Sequence, residues 1–277
     1  GFTTAVVTAS SVLLLFYLLF HKWGIYLSPV MPLSTIFIMF SGVSILNFGY
    51  AEHRSRRRMT ALIQAQNDTI IKLAALAETR DPETGRHLQR TQMYVQALAE
   101  ELSKNPAYGI TPDAEYIDLL TKSAPLHDIG KVGIPDDILL KKGKLTTAEY
   151  EEMKNHALIG ARVLSGPAIE TAAETTYSYL ELGRQMALSH HEKWDGSGYP
   201  DGLKGEDIPL AGRIMALVDV YDALTTKRTY KPAFSHEYAR EIIIREKGRH
   251  FDPKLVEAFL NIEAVFISIA NDFEERS

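Results

Sequence analysis

From Asp81 to about Leu260 the chain repeats one pattern, a helix-forming run followed by a short loop rich in glycine and proline. The runs are clearest at Gln89–Leu102, Ala148–Leu164, Glu170–His190, Ile208–Leu224 and His236–Arg245. No alternation of apolar and polar residues competes with them, so the expected fold class is all-α. Asp81-Pro82 reads as an N-cap and first turn, because proline disfavours a helical conformation in the residue before it. Ile262 to Phe273 reads as a last helix, ahead of an acidic tail.

The first fifty residues have a different character. Phe2–Phe20 and Leu33–Tyr50 are free of charge. At 1.5 Å per residue each spans roughly 27–29 Å, close to the thickness of a bilayer's hydrocarbon core. Buried core helices are the alternative; the tandem of two long runs favours membrane spans. Trp23 and Tyr26 in the connecting segment fit an interfacial belt, and Arg54, Arg56, Arg57 and Arg58 would hold the following chain on the cytoplasmic side. The expectation is therefore a transmembrane helical hairpin over 1–51. Residues 52–80 read as a linker helix without proline or glycine. Its Met59, Leu62, Gln66, Thr69, Leu73 and Leu76 step by three and four. That is either a heptad seam able to form a homodimer or a plain amphipathic connector. The third segment, 81–277, carries the chemistry. The chain begins with glycine rather than methionine and reads as a piece of a longer protein.

Composition narrows the chemistry. There is no cysteine, which removes disulfides, thiolate nucleophiles and sulfur-bound zinc, so any metal must sit on His, Asp and Glu. The net charge of −5 carries no basic surplus, so a nucleic-acid polymer is not an expected partner.

Glu83 and His87 are four apart and share one face of a helix starting at Pro82. His127 and Asp128 are adjacent, His156 lies in the next long run, and His190 and His191 are adjacent again. Asp219 sits in the apolar stretch Leu217-Val218-Asp219-Val220, where a bare carboxylate would be costly to bury. Each alone is more often structural than a ligand. Eight such residues on successive helices point to a metal centre, and eight are too many for one ion. Two or three divalent ions sharing bridging groups are expected, the arrangement used in phosphoryl transfer. An all-N/O donor set fits Fe or Mn better than structural zinc.

The motifs His127-Asp128 with Gly130-Lys131, and His190-His191-Glu192 through Gly198-Tyr199-Pro200, resemble the HD-GYP family. Its members are cyclic di-GMP phosphodiesterases within the HD phosphohydrolases. The likeness covers about residues 70–260 and includes Ile134-Pro135-Asp136, Tyr221-Asp222-Ala223-Leu224 and His250-Phe251-Asp252-Pro253 in order. It implies an HD-domain helical bundle with extra helices. It also implies that Glu83, His87, His127, Asp128, His156, His190, His191 and Asp219 are metal ligands, with Glu83 going with a third ion.

By the same resemblance Lys131 contacts the scissile phosphate beside His127 and Asp128; otherwise it is a surface lysine after a turn. Arg228 and Lys231 are similar to residues that hold phosphates and guanines, and are otherwise a solvated basic turn. Asp222 is either a ligand contact or a helix anchor. Tyr199 lies in the Gly198-Tyr199-Pro200 loop that would form one lip of the site. The expected activity is metal-dependent hydrolysis of cyclic di-GMP to pGpG, with GMP as a further product. The rivals are a phosphodiesterase for another cyclic dinucleotide and a cyclic di-GMP receptor without turnover. The apolar N-terminal pair also resembles the membrane end of CHASE2-type receptors, which implies a multi-pass protein of the bacterial inner membrane with a cytoplasmic catalytic domain.

Overall fold

The structure is a computed structural model that describes residues 11, 14–15, 17–22, 30–78, 86–109, 111–165, 179–227 and 233–274. By its contacts the chain divides into two units, residues 1–66 and 67–277. Every regular element among the described residues is helical, and the sole β contact there is an isolated bridge between Lys247 and Phe251. The all-α expectation holds. Glu83, Arg228 and Lys231 lie outside the described residues.

Helix α1 spans Val30–Glu78. The second expected membrane span is the front part of this helix, which continues through Glu52 and the four arginines from Arg54 to Arg58. Among the described residues no helix is long and apolar enough to cross a membrane. The transmembrane hairpin is thereby corrected. The multi-pass inner-membrane location and the membrane partner that rested on it go with it. An uncharged run is not the same as an apolar one: Ser34, Thr35, Ser41, Ser44 and Asn47 dilute the second segment. Most of the first segment, 2–20, lies outside the described residues.

The second unit is built around α2, Arg86–Lys104. Its buried residues His87, Thr91, Tyr94, Val95, Leu98 and Leu102 recur at three- and four-residue steps, which makes one apolar stripe. That stripe meets α3 (Ala114–Ser123), α7 (Leu210–Thr225), α9 (Pro253–Asn261) and α10 (Glu263–Glu274). An aromatic cluster closes the core. Tyr94 stacks on Phe266 at 4.6 Å between ring centroids and meets Tyr221 edge-on at 5.3 Å. Edge-to-face and offset contacts of this kind add to what burial alone contributes.

The remaining elements are α4 (Asp136–Leu139), α5 (Thr147–Leu164), α6 (Tyr179–Ser189) and α8 (His236–Arg245). Side-chain caps set several starts. Asp113 accepts from the Tyr116 N–H at 2.7 Å to begin α3, and Thr146 and Glu149 form a reciprocal capping box at α5. Asp252 accepts from the Lys254 N–H at 2.8 Å, with Pro253 in the first turn of α9. Five of the sequence-derived runs recur as α2, α5, α6, α7 and α8. The run expected from Glu170 is described only from Tyr179, and α3 and α9 were not singled out by periodicity.

Candidate metal centre

His127 and Asp128 sit where α3 breaks up. Pro125 interrupts the helix, two short 3-10 turns follow (Ala124–Leu126 and Ile129–Gly133), and the pair lies between them. The second turn lies against α5 so closely that a Cβ on Gly130 would fall 1.9 Å from the His156 carbonyl oxygen and 2.4 Å from the Gly160 N. Only glycine allows that approach. The approach brings His156 of α5 beside Asp128. His190 and His191 follow directly on α6, Asp219 lies on α7, and His87 opens α2.

Two groups of ligand atoms result. Asp128, His156, His190 and His191 each place one donor atom within 4.8 Å of the others, and so do His87, His127 and Asp219. Asp128 joins the two groups. Its Oδ2 lies 3.3 Å from the His127 Nε2, and its Oδ1 lies 3.4 Å from the His156 Nε2 and 3.6 Å from the His190 Nε2. Seven of the eight expected ligands are thus brought together; the eighth, Glu83, lies outside the described residues.

The histidines are oriented from behind. Nδ1 of His127 lies 2.8 Å from the Ala124 carbonyl, that of His156 2.7 Å from the Met153 carbonyl, and that of His190 2.9 Å from the Met186 carbonyl. A carbonyl oxygen only accepts, so each Nδ1 carries a proton and each Nε2 is turned inward. His87 is held the same way by a carboxylate: its Nδ1 lies 2.7 Å from Asp222 Oδ2. Asp222 in turn takes two hydrogen bonds from Arg90, Nε at 2.6 Å and Nη2 at 2.9 Å.

Electrostatics follow this layout. Burial opposes ionisation of Asp128, but Lys131 and His127 outweigh it and hold the carboxyl well below its usual range. Lys131 Nζ is 2.8 Å from Asp128 Oδ2. Burial pushes His156 down to about 4, and burial with the neighbouring His190 and His156 pushes His191 well down, so both rings are neutral near pH 7. Burial also acts downward on His127, but Asp128 and Asp219 dominate and raise it to about 9. Without a cation, His127 keeps a proton that a metal has to displace.

The donor set fits a metal. Among the described residues His127 Nε2, Asp128 Oδ1 and His190 Nε2 are buried and have no hydrogen-bond partner. A polar atom left that way costs about 1–3 kcal/mol, more when charged. The His191 and His156 Nε2 atoms face each other at 3.1 Å. With His156 protonated on Nδ1, the His191 Nε2 donates the proton between them, which a cation bound there has to displace. A divalent cation in each group relieves all of these costs, and nitrogen and oxygen donors without sulfur suit the harder divalent ions.

Two expected residues take different positions. Asp222 is 1% exposed and faces His87 and Arg90, which places it behind the His87 ring rather than at the mouth of the site. Tyr199 is brought to the site: its ring lies on His191, with centroids 4.7 Å and planes 25° apart. Two supporting residues escaped the sequence reading. Arg90 sits one turn from His87 on α2, a helical spacing that gives a usable signal. Glu192, 2% exposed, accepts from the backbone N–H groups of Asp201 (2.8 Å), Gly202 (3.0 Å) and Leu203 (3.1 Å), and so pins the glycine-rich loop beside His191. Nothing local to Glu192 shows that pairing; only its place next to the histidine pair draws notice.

Comparisons with known proteins place the chain in a family. A family model described as HD domain matches residues 72–255. A cyclic di-GMP phosphodiesterase of Vibrio cholerae is 57% identical over 206 residues, covering 74% of this chain and 41% of its own length. A 3'3'-cGAMP-specific phosphodiesterase of the same organism is 41% identical over 211 residues, covering 76% and 37%. A cyclic di-GMP phosphodiesterase of Thermotoga maritima is 43% identical over 191 residues, covering 69% and 48%. The chain spans about half the length, or less, of these curated relatives. Among solved structures, that of a cyclic GMP-AMP specific phosphodiesterase of V. cholerae superposes with a TM-score of 0.50 at 22% identity. It covers 76% of this chain and 52% of that one, a likeness of fold. With the matched segment taking in His87, His127, Asp128, His156, His190, His191 and Asp219, the chain belongs to the HD-domain family.

Proposed function

We propose that this protein hydrolyses a phosphodiester bond of cyclic di-GMP at a centre of two or three divalent ions, Fe or Mn. The observation that carries the proposal is Asp128, whose two oxygens reach separate groups of inward-turned histidines, the layout of a paired-metal site. The substrate is taken from relatives with that printed activity, at 57% and 43% identity. Bound divalent ions would supply Lewis acidity toward a phosphoryl oxygen and a nucleophile at neutral pH.

The chain's own residues do the rest. His87, His127, His156, His190 and His191 present neutral nitrogen donors, and Asp128 and Asp219 supply the negative charge. Lys131, 17% exposed in its side chain and held at Asp128, can turn its ammonium to the phosphate oxygens as charge develops on them. Tyr199 walls the His191 side. In the same reading Glu83 adds a ligand for a third ion, and Arg228 and Lys231 hold phosphates and bases; their support is the motif order in the sequence. A homodimer through residues 52–80 is supported by Met59 and Leu62, both exposed on α1.

A second reading has a specific observation in its favour. The relative at 41% identity is named for 3'3'-cGAMP, so cleavage of that mixed dinucleotide is the alternative. Anaerobic purification, elemental analysis and side-by-side cleavage assays decide between them. Two or three equivalents of Fe or Mn with pGpG appearing from cyclic di-GMP is the expected result. Faster cleavage of 3'3'-cGAMP would move the substrate assignment. His127→Ala should lose turnover and lower the metal-to-protein ratio with helicity retained; unchanged turnover would remove the site.

A further inference from the structure

Beside the metal centre, two residues of α5 share a rim with Tyr199 and have no role in the function proposed above. Lys154 sets its Nζ 5.5 Å from the centroid of the Tyr199 ring and 5.0 Å from that of Tyr150. Tyr150 and Lys154 are four apart on the helix and so lie on one face. Tyr150 is 48% exposed, a large aromatic surface turned to solvent at the edge of a buried polar site. Tyr199 is the link inward, since its ring is stacked on His191.

Among the described residues Lys154 is otherwise paired with Glu151, at 2.7 Å, on the same helix. The two side chains are 28% and 62% exposed. An exposed pair of this kind contributes little, so exchanging it for another acceptor costs little.

A cyclic dinucleotide with its phosphodiester at the buried ligands leaves its bases at the rim. Stacking on an aromatic side chain is the commonest way to hold a base there, and it tolerates any base. A cation beside the stack does not. The guanine edge offers two adjacent acceptors, O6 and N7, which suit a lysine ammonium; adenine replaces O6 with an amino donor. We infer that Tyr150 and Lys154, with Tyr199, form a guanine subsite. The base stacks on the Tyr150 ring and Lys154 donates to its O6 and N7, which selects guanine over adenine. The subsite presupposes a cyclic dinucleotide and so rests on the function proposed above.

Titration calorimetry on the metal-loaded chain, with cyclic di-GMP and cyclic di-AMP as probes, reads the subsite, while turnover reads the proposed function. Tyr150→Ala should weaken cyclic di-GMP about tenfold, the loss of one stacked base. Tyr150→Phe should stay near the wild type, because the ring face is kept. Lys154→Met should weaken cyclic di-GMP about tenfold, as expected for a lost two-acceptor base contact, and leave cyclic di-AMP unchanged. The metal-to-protein ratio should be the same in all three. Wild-type affinity for cyclic di-GMP in both alanine and methionine variants overturns the subsite. Equal weakening of both dinucleotides by Lys154→Met overturns guanine selection in favour of general attraction to phosphate. Binding of neither dinucleotide by the wild type overturns it as well. Binding with the expected variant pattern but no cleavage leaves the subsite standing and removes only the proposed hydrolysis.

Discussion

Asp222 stands directly behind His87, its Oδ2 2.7 Å from the ring Nδ1 and its carboxylate almost wholly buried. The two are 135 residues apart in sequence. Burial opposes the charge on Asp222, yet the hydrogen bonds from Arg90 and His87 more than offset it and keep the carboxyl below its usual range. The pair fixes which His87 nitrogen faces the centre, and Arg90 neutralises the buried carboxylate.

Asp222→Ala should therefore do two things at once. It frees the His87 ring, which typically costs 10–100-fold in metal affinity. It also removes the two hydrogen bonds that the buried Arg90 guanidinium donates to Asp222, which should lower stability. Metal titration and urea unfolding measure the two separately. Asp222→Asn keeps an oxygen for the His87 N–H and should recover part of the metal affinity. Equal metal affinity in wild type and Asp222→Ala would show that His87 is positioned by something else.

Gly130→Ala should be among the most damaging small changes in the domain. The added methyl meets backbone atoms of His156 and Gly160, which cannot turn away as a side chain end could. Overpacking of this kind costs about 1–3 kcal/mol, and here relief requires the 129–133 turn to move off α5. Because His156 and Asp128 sit on the two sides of that contact, metal stoichiometry should fall together with the unfolding midpoint. A stable variant with full metal content would contradict the close approach.

Glu192→Ala should loosen the loop that carries Tyr199. Three backbone amides lose their common acceptor, and charge-assisted hydrogen bonds contribute about 1.5–3 kcal/mol each at most. Hydrogen exchange at Asp201, Gly202 and Leu203 reads the effect directly, and faster exchange confined to 195–205 is expected. Gly198 belongs to the same device, since a Cβ there would fall 2.5 Å from the Glu192 Cα. Unchanged exchange at those amides would mean that the contacts of Trp194 and Asp195 with the 249–250 backbone hold the loop alone.

His250 supplies a pH-dependent element of stability from outside the candidate ligand set. Its ring stacks on Phe251, centroids 4.3 Å and planes 10° apart. Burial first, and then Lys193, push its pKa from 6.5 down to about 4. In the folded state the ring stays neutral down to about pH 4, whereas the unfolded chain takes up the proton below pH 6.5. The contribution is thus complete above 6.5 and falls away as the pH drops toward 4, by about 2 kcal/mol between pH 7 and pH 5. Urea midpoints at the two pH values should separate less in His250→Gln than in the wild type. An identical pH dependence in both would place the titration elsewhere.

The helices and the donor residues were legible because both are written locally. Three- and four-residue periodicity marks α2, α5, α7 and α8, and an imidazole or carboxylate in an apolar stretch, as at His127-Asp128 or Asp219, announces a buried polar need whatever its partners. Local reading also misled. Counting charges turned the 33–50 run into a membrane span, although it is the start of a 49-residue helix and no described helix is long and apolar enough to cross a membrane. Only the tertiary structure decided the division of the described candidate ligands into two groups joined by Asp128. It also placed Asp222, which the sequence leaves open between a ligand contact and a helix anchor, at the back of His87, and it set Glu192 under three amides nine to eleven residues away. The reason is that a ligand's type is a property of one residue, while its orientation and partners depend on backbone approaches such as Gly130 against α5, which form only when distant segments fold together.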